Sequence, residues 1–177
     1  MASRQITLQQ INDLDQRSFV TELGALFEGT PWIVEEAWHA RPFSSPDDLF
    51  QKLCAVMYSA PFEKQVKLIQ AHPDLVGRAA LAGTLTPAST SEQASAGLDR
   101  LSQDEIDTFT RNNQSYRERF GFPFVICARE NKKASILAGF ATRLSSSREQ
   151  EISIALGEVA KICLFRLRDL VRADSSA

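Results

Sequence analysis

The stretch ISIALGEVAKICLFRLRDL, residues 152–170, decides how this chain folds. Its apolar side chains recur at Ile152, Leu156, Val159 and Cys163, and again, after one interruption, at Leu170. Steps of four and three place them on one face of an α-helix, and a face this apolar is buried. The interruption is Arg166. A guanidinium stays charged in a protein, and burying it alone costs an amount comparable with the stability of a whole domain. Either a protein carboxylate such as Glu92 or Glu158 meets it inside, or the space before it belongs to an anion.

Helical punctuation continues outward from this stretch. Ser147 with Gln150 is spaced as a capping box that opens the helix carrying Arg166. Ser102 with Glu105 forms another, before a long helix that Gly121 should end. Thr30-Pro31 and Ser45-Pro46-Asp47-Asp48 each read as a cap followed by a first-turn proline. Ala60-Pro61 starts a helix running to His72, and the segments near Leu8–Leu14 and Phe19–Phe27 supply more. The sum is about eight or nine helices.

One segment resists this pattern. Phe122-Pro123-Phe124-Val125-Ile126-Cys127 is aromatic and β-branched, which favours a strand. A lone strand leaves its backbone groups unsatisfied, and nothing else in the chain reads as a partner. We therefore expect an all-α domain over 1–172 with a buried extended connection near 122–127, and a disordered tail over 173–177. The spare N–H and C=O groups of that connection need partners, and a ligand is one candidate.

Composition narrows the function. The chain has 177 residues, 44% hydrophobic and 24% charged, with a formal net charge of −2. That balance, with basic residues dispersed among acids, argues against nucleic acid as a partner. No apolar run suits a signal peptide or a membrane span, so the cytoplasm is the expected compartment. Cys54, Cys127 and Cys163 read as reduced, buried thiols. With His39 and His72 the only histidines, no metal-ligand spacing is present.

Other side chains besides Arg166 are candidates for chemistry. His72 precedes Pro73, which pushes it out of helical geometry to the end of its helix. There it either hydrogen-bonds the last carbonyls or faces a pocket as an acid or base. His39 sits at another helix end with nothing convergent around it. Ser89 and Glu92 have capping-box spacing and Gln93 follows, so a cap explains them. A carboxylate and an amide side by side at a helix N-terminus could also grip a urea-like ligand. Arg143, Arg148 and Arg168 read as solvated charges.

In order and spacing these residues resemble the 2-oxo-4-hydroxy-4-carboxy-5-ureidoimidazoline (OHCU) decarboxylase family. The resemblance runs through His72-Pro73-Asp74-Leu75, Ser89 to Glu92-Gln93, Ala96-Gly97-Leu98, Asn113, Tyr116 and Phe120 to Ile126. It continues with Arg143-Leu144, Glu151, Ala155-Leu156, Glu158 and Arg166-Leu167. One departure is Ser146, where the family often carries asparagine; it bears on a helix cap.

The resemblance implies a cofactor-independent decarboxylase that forms (S)-allantoin, the last step from urate to allantoin. It makes His72 the acid/base, with Glu92 and Arg166 as the other catalytic groups. Pro73, Ser89 and Gln93 would line the substrate pocket, joined by backbone groups of Phe122, Phe124, Val125 and Ile126. It implies no cofactor and no metal, a small ureide substrate, a homodimer, and an association with the preceding hydroxyisourate hydrolase. Read without it, the residues also allow a non-catalytic helical interaction module, or a helical lyase or hydrolase acting on a related ureide.

Overall fold

A computed structural model describes residues 5–172. The tail expected over 173–177 lies outside the described residues. The fold is all-α, with α1 (Leu8–Asp13), α2 (Gln16–Leu23), α3 (Trp32–Ala37), α4 (Pro46–Ser59) and α5 (Phe62–Gln70). These are followed by α6 (Arg78–Leu81), α7 (Pro87–Ser95), α8 (Gln103–Phe120), α9 (Lys133–Arg143) and α10 (Arg148–Leu170). Short 3₁₀ turns cover Gly24–Leu26, Trp38–Ala40 and Ala128–Glu130. A single parallel bridge between Ile6 and Val171 is the β pairing found among the described residues.

Most caps form where the sequence places them. Ser45 accepts the Asp48 N–H at 3.0 Å with Pro46 following. Ser102 and Glu105 close a reciprocal box, as do Ser147 and Gln150. Gly121 ends α8 at φ 81°, a left-handed conformation that a side chain would oppose. Two expectations are corrected. Thr30 does not cap α3, whose N-cap is Pro31 with no side-chain bond. Ser89 does not open α7 either: Thr86 does, accepting the Ser89 N–H at 3.2 Å, with Pro87 in the first turn. Ser89 thus sits inside the helix, because Thr-Pro outcompetes Ser as a start signal.

The chain forms two compact units. One comprises residues up to Leu68 and from Ala160 onward. Ile11, Phe19, Leu23, Ile33, Val34, Leu49, Leu53 and Met57 are wholly buried there. Phe19 stacks on Phe43 with ring centroids 6.0 Å apart. The second unit is Ile69–Val159. Its core is aromatic: Phe124 stacks on Phe140 at 3.9 Å and meets Tyr116 edge-on at 5.2 Å. Gly139 allows the first of these, since a Cβ there would lie 3.2 Å from the Phe124 ring. Along α10 Ile152, Leu156, Val159, Cys163 and Arg166 are all buried, as the spacing demands, while Leu170 at the end of the stripe is half-exposed.

Candidate active site

The site builds from the loop that follows α5. Pro73 removes His72 from the helix, although the His72 N–H still donates to the Ile69 carbonyl at 3.2 Å. His72 is buried, with 6% of its surface exposed. Residues 74–77 are tied down one by one. Asp74 accepts from Arg117 Nε at 2.9 and 3.0 Å. The Leu75 carbonyl accepts from Asn113 Nδ2 at 2.8 Å. The Val76 N–H donates to Gln93 Oε1 at 3.0 Å, and the Gly77 N–H donates to the Asp74 carbonyl at 3.2 Å.

This clamping holds an unfavourable backbone. Val76 has φ 54°, a left-handed conformation that costs a β-branched residue about 1–2 kcal/mol. Such strain persists where the surroundings over-determine it. Gly77 is required as well, since a Cβ there would lie 2.6 Å from the Asp74 Cβ.

On α7, Ser89 and Gln93 are four residues apart on one buried face, with 4% and 7% of their surfaces exposed. Glu92 beside them is half-buried. Gln93 therefore links α7 to the loop of His72, and the carboxamide oxygen it commits to Val76 orients its amino group.

The expected connection at 122–127 is present as a non-helical, largely buried segment. Two of its backbone groups are held by charged side chains. The Val125 carbonyl accepts from Arg143 Nη1 at 2.7 Å, and the Cys127 N–H donates to Glu158 Oε2 at 2.7 Å. Among the described residues, the N–H groups of Phe124, Val125 and Ile126 donate to no protein acceptor. Ile126 is the half-exposed residue in a run from Phe122 to Ala128 that is otherwise buried.

Arg143 corrects the sequence reading, which takes it for a solvated charge. It is 8% exposed and donates through Nε to Glu151 Oε2 at 2.8 Å. Its Nη2 reaches the Tyr116 hydroxyl at 3.1 Å, and its guanidinium carbon lies 4.3 Å from the Phe124 ring centroid. Tyr116 donates to the same Glu151 oxygen, and burial raises its hydroxyl well above the ordinary range. A signal for Arg143 exists in the sequence: Ile136, Phe140 and Arg143 repeat the four-and-three spacing that exposes Arg166.

Arg166 belongs to the other unit. Its Nη2 stands 3.1 Å from Glu28 Oε2, and its Nη1 donates to the Ala25 carbonyl at 3.0 Å. An acid found with it is Glu28, a residue that sequence spacing did not single out. In the same unit, exposed His39 borders an open groove with Trp32, Glu35, Lys52 and Lys64. No group of three or more His, Cys, Asp or Glu side chains is placed to hold a metal ion among the described residues.

Residues 12–168 match the family model described as OHCU decarboxylase. The chain is 44% identical over 165 residues to the 2-oxo-4-hydroxy-4-carboxy-5-ureidoimidazoline decarboxylase of Haloferax volcanii, covering 93% of this chain and 96% of that one. It is 37% identical over 165 residues to the uric acid degradation bifunctional protein PucL of Bacillus subtilis, covering 93% of this chain and 33% of that one. Its fold matches an OHCU decarboxylase solved in the presence of (S)-allantoin, with a TM-score of 0.68 and 22% identity over 82% of this chain and 94% of that one.

Proposed function

The chain belongs to the OHCU decarboxylase family, and from that premise we propose that it converts 2-oxo-4-hydroxy-4-carboxy-5-ureidoimidazoline to (S)-allantoin and carbon dioxide. The observation that carries the reading is the near full-length match to decarboxylases. The held loop of His72 supports the assignment of roles.

The substrate bears a carboxylate and a hydroxyl on one ring carbon, beside a carbon double-bonded to nitrogen. When the carboxylate leaves as carbon dioxide, its bonding electrons form a double bond between the two carbons. The C=N electrons move onto nitrogen, which takes a proton. The resulting enol loses its hydroxyl proton and gains one at the neighbouring carbon, giving the carbonyl and the stereocentre of allantoin. The electron sink lies within the substrate, so the protein has only to orient it and move protons.

In this reading His72 takes the hydroxyl proton and returns one to a single face of the neighbouring carbon. Imidazole suits both directions near neutral pH. Glu92 and Gln93 hold the ureido arm, with Ser89 and Pro73 shaping the pocket around it. Backbone groups of Phe122, Phe124, Val125 and Ile126 meet the polar atoms of the substrate. Arg166 supplies the cation for its anionic end, and Glu28 and the Ala25 carbonyl preset its guanidinium.

Residues 1–172 act as one functional domain in this reading. The resemblance extends it to a homodimer, and the bifunctional uric acid degradation relative supports a place beside another enzyme of that pathway. Three thiols without disulfides suit a reducing cytoplasm. No helix among the described residues is long and apolar enough to cross a membrane.

The test of the roles uses substrate made freshly from urate by urate oxidase and hydroxyisourate hydrolase. His72→Ala is expected to lose about 10²- to 10⁴-fold in turnover, the usual share of a general acid/base, while keeping its helicity and melting curve. Undiminished turnover would remove His72 from the mechanism. Retained turnover with a lowered melting temperature would assign it to structure instead.

A further inference from the structure

Resting on the reading that the 122–126 segment meets the substrate, we infer that Arg143 and Glu158 are positioning residues that aim the backbone of Ile126 at the ureido group. Neither touches the substrate in this account. Each acts through one peptide plane.

A peptide unit is rigid, planar and trans, so its C=O and N–H point in opposite directions. Arg143 Nη1 holds the Val125 carbonyl at 2.7 Å. The N–H in that same plane belongs to Ile126, and it is therefore aimed away from Arg143. Glu158 Oε2 holds the Cys127 N–H at 2.7 Å. The carbonyl in that plane is also that of Ile126, and it is aimed away from Glu158. Ile126 thus stands between two fixed planes, its donor and acceptor both turned from the side chains that fix them.

Three further observations fit this role. Ile126 is half-exposed where its neighbours are buried, and its N–H has no protein acceptor among the described residues. One N–H beside one C=O is the complement of an amide or ureido group, which offers the same pair reversed. Arg143 is itself fixed on several sides, by Glu151 Oε2, by the Tyr116 hydroxyl and by the Phe124 ring. A buried ion pair contributes little that apolar packing could not replace. Its planar fork does what apolar packing cannot, binding a carboxylate and a carbonyl at fixed angles.

The test compares Glu158→Ala, Glu158→Gln and the double variant Arg143→Met with Glu151→Leu, which removes both buried charges together. Steady-state kinetics on the freshly made substrate is paired with calorimetric titration of (S)-allantoin. Glu158→Ala and the double variant are expected to raise KM and weaken allantoin binding about tenfold for each aligned hydrogen bond lost. The change in kcat should be smaller. Glu158→Gln keeps an acceptor for the Cys127 N–H and should restore the affinity. His72→Ala should show the opposite split, with kcat lost and allantoin binding kept.

Wild-type KM and allantoin affinity in folded Glu158→Ala and in the double variant would overturn the inference while leaving the decarboxylase reading intact. Failure of Glu158→Gln to rescue would also overturn it. A wild-type protein without decarboxylase activity would instead overturn the reading on which the inference rests.

Discussion

At the scale of the residue, buried charge is the feature that organises this molecule. Glu151 is wholly buried, and both Arg143 and the Tyr116 hydroxyl converge on one of its oxygens. Replacing Glu151 alone by Leu leaves the Arg143 cation without its acid, and the expected loss is about 3–5 kcal/mol. Replacing both charges by apolar residues should recover most of it, as chemical denaturation of the single and double variants would measure. Arg166 is legible from sequence because a long apolar stripe surrounds it. Arg143 ends a shorter stripe, Ile136 and Phe140, whose spacing carries the same signal more weakly, and its partners Tyr116 and Glu151 come from two other helices, which spacing does not show.

The thiols belong to the same scale. Burial pushes the Cys54 thiol up from 9.0 to about 11 and also raises Cys127 and Cys163. All three are therefore protonated at neutral pH and poor nucleophiles. A thiol whose folded pKa is raised stabilises the fold fully below its unfolded value. That contribution fades as the pH climbs from 9 through the folded value. Cys127 and Cys163 are buried as the sequence suggests, whereas Cys54, read there as buried, is half-exposed. We expect slow reaction of Cys127 and Cys163 with a disulfide reagent at pH 8 unless denaturant is added, and a falling melting temperature above pH 9. Prompt modification of either in the native protein would contradict their burial.

At the scale of the element, the loop between α5 and α6 has no regular structure and is still fixed. Its bonds come from Arg117 and Asn113 on α8 and from Gln93 on α7. Adding a methyl at Gly77 drives it into Asp74, so Gly77→Ala should destabilise by about 1–3 kcal/mol. Because that shift moves the loop of His72, kcat should fall with it. Thr86→Ala removes the α7 cap and should cost about 1 kcal/mol in thermal unfolding. An equivalent loss from changing Ser89 through capping is not expected, because Ser89 lies within the helix.

Sequence spacing places the helices well wherever a cap is local, as at Ser45, Ser102 and Ser147. It misplaces the start of α7 because Ser89 and Glu92 imitate a box that Thr86-Pro87 pre-empts. The loop 72–77 was not legible beyond the effect of Pro73. Its conformation is set by side chains 17 to 43 residues away in the chain, and a left-handed valine has no local signature. The segment at 122–127 was legible as an exception, being strand-like without a partner, but not the side chains that hold it.

At the scale of the whole molecule, a family match across residues 12–168 covers parts of both compact units. His72, Ser89, Glu92, Gln93 and the 122–126 segment lie in one of them, and Arg166 lies in the other. The central claim is a reaction with a defined stereochemical outcome, and circular dichroism of the allantoin formed tests it most directly. Urate is converted by urate oxidase and hydroxyisourate hydrolase, with and without this protein, and the optical signal is followed over time. Rapid appearance of the (S) enantiomer is expected when the protein is present, and its loss in His72→Ala. Slow formation of racemic allantoin at the same rate with and without the protein would contradict it.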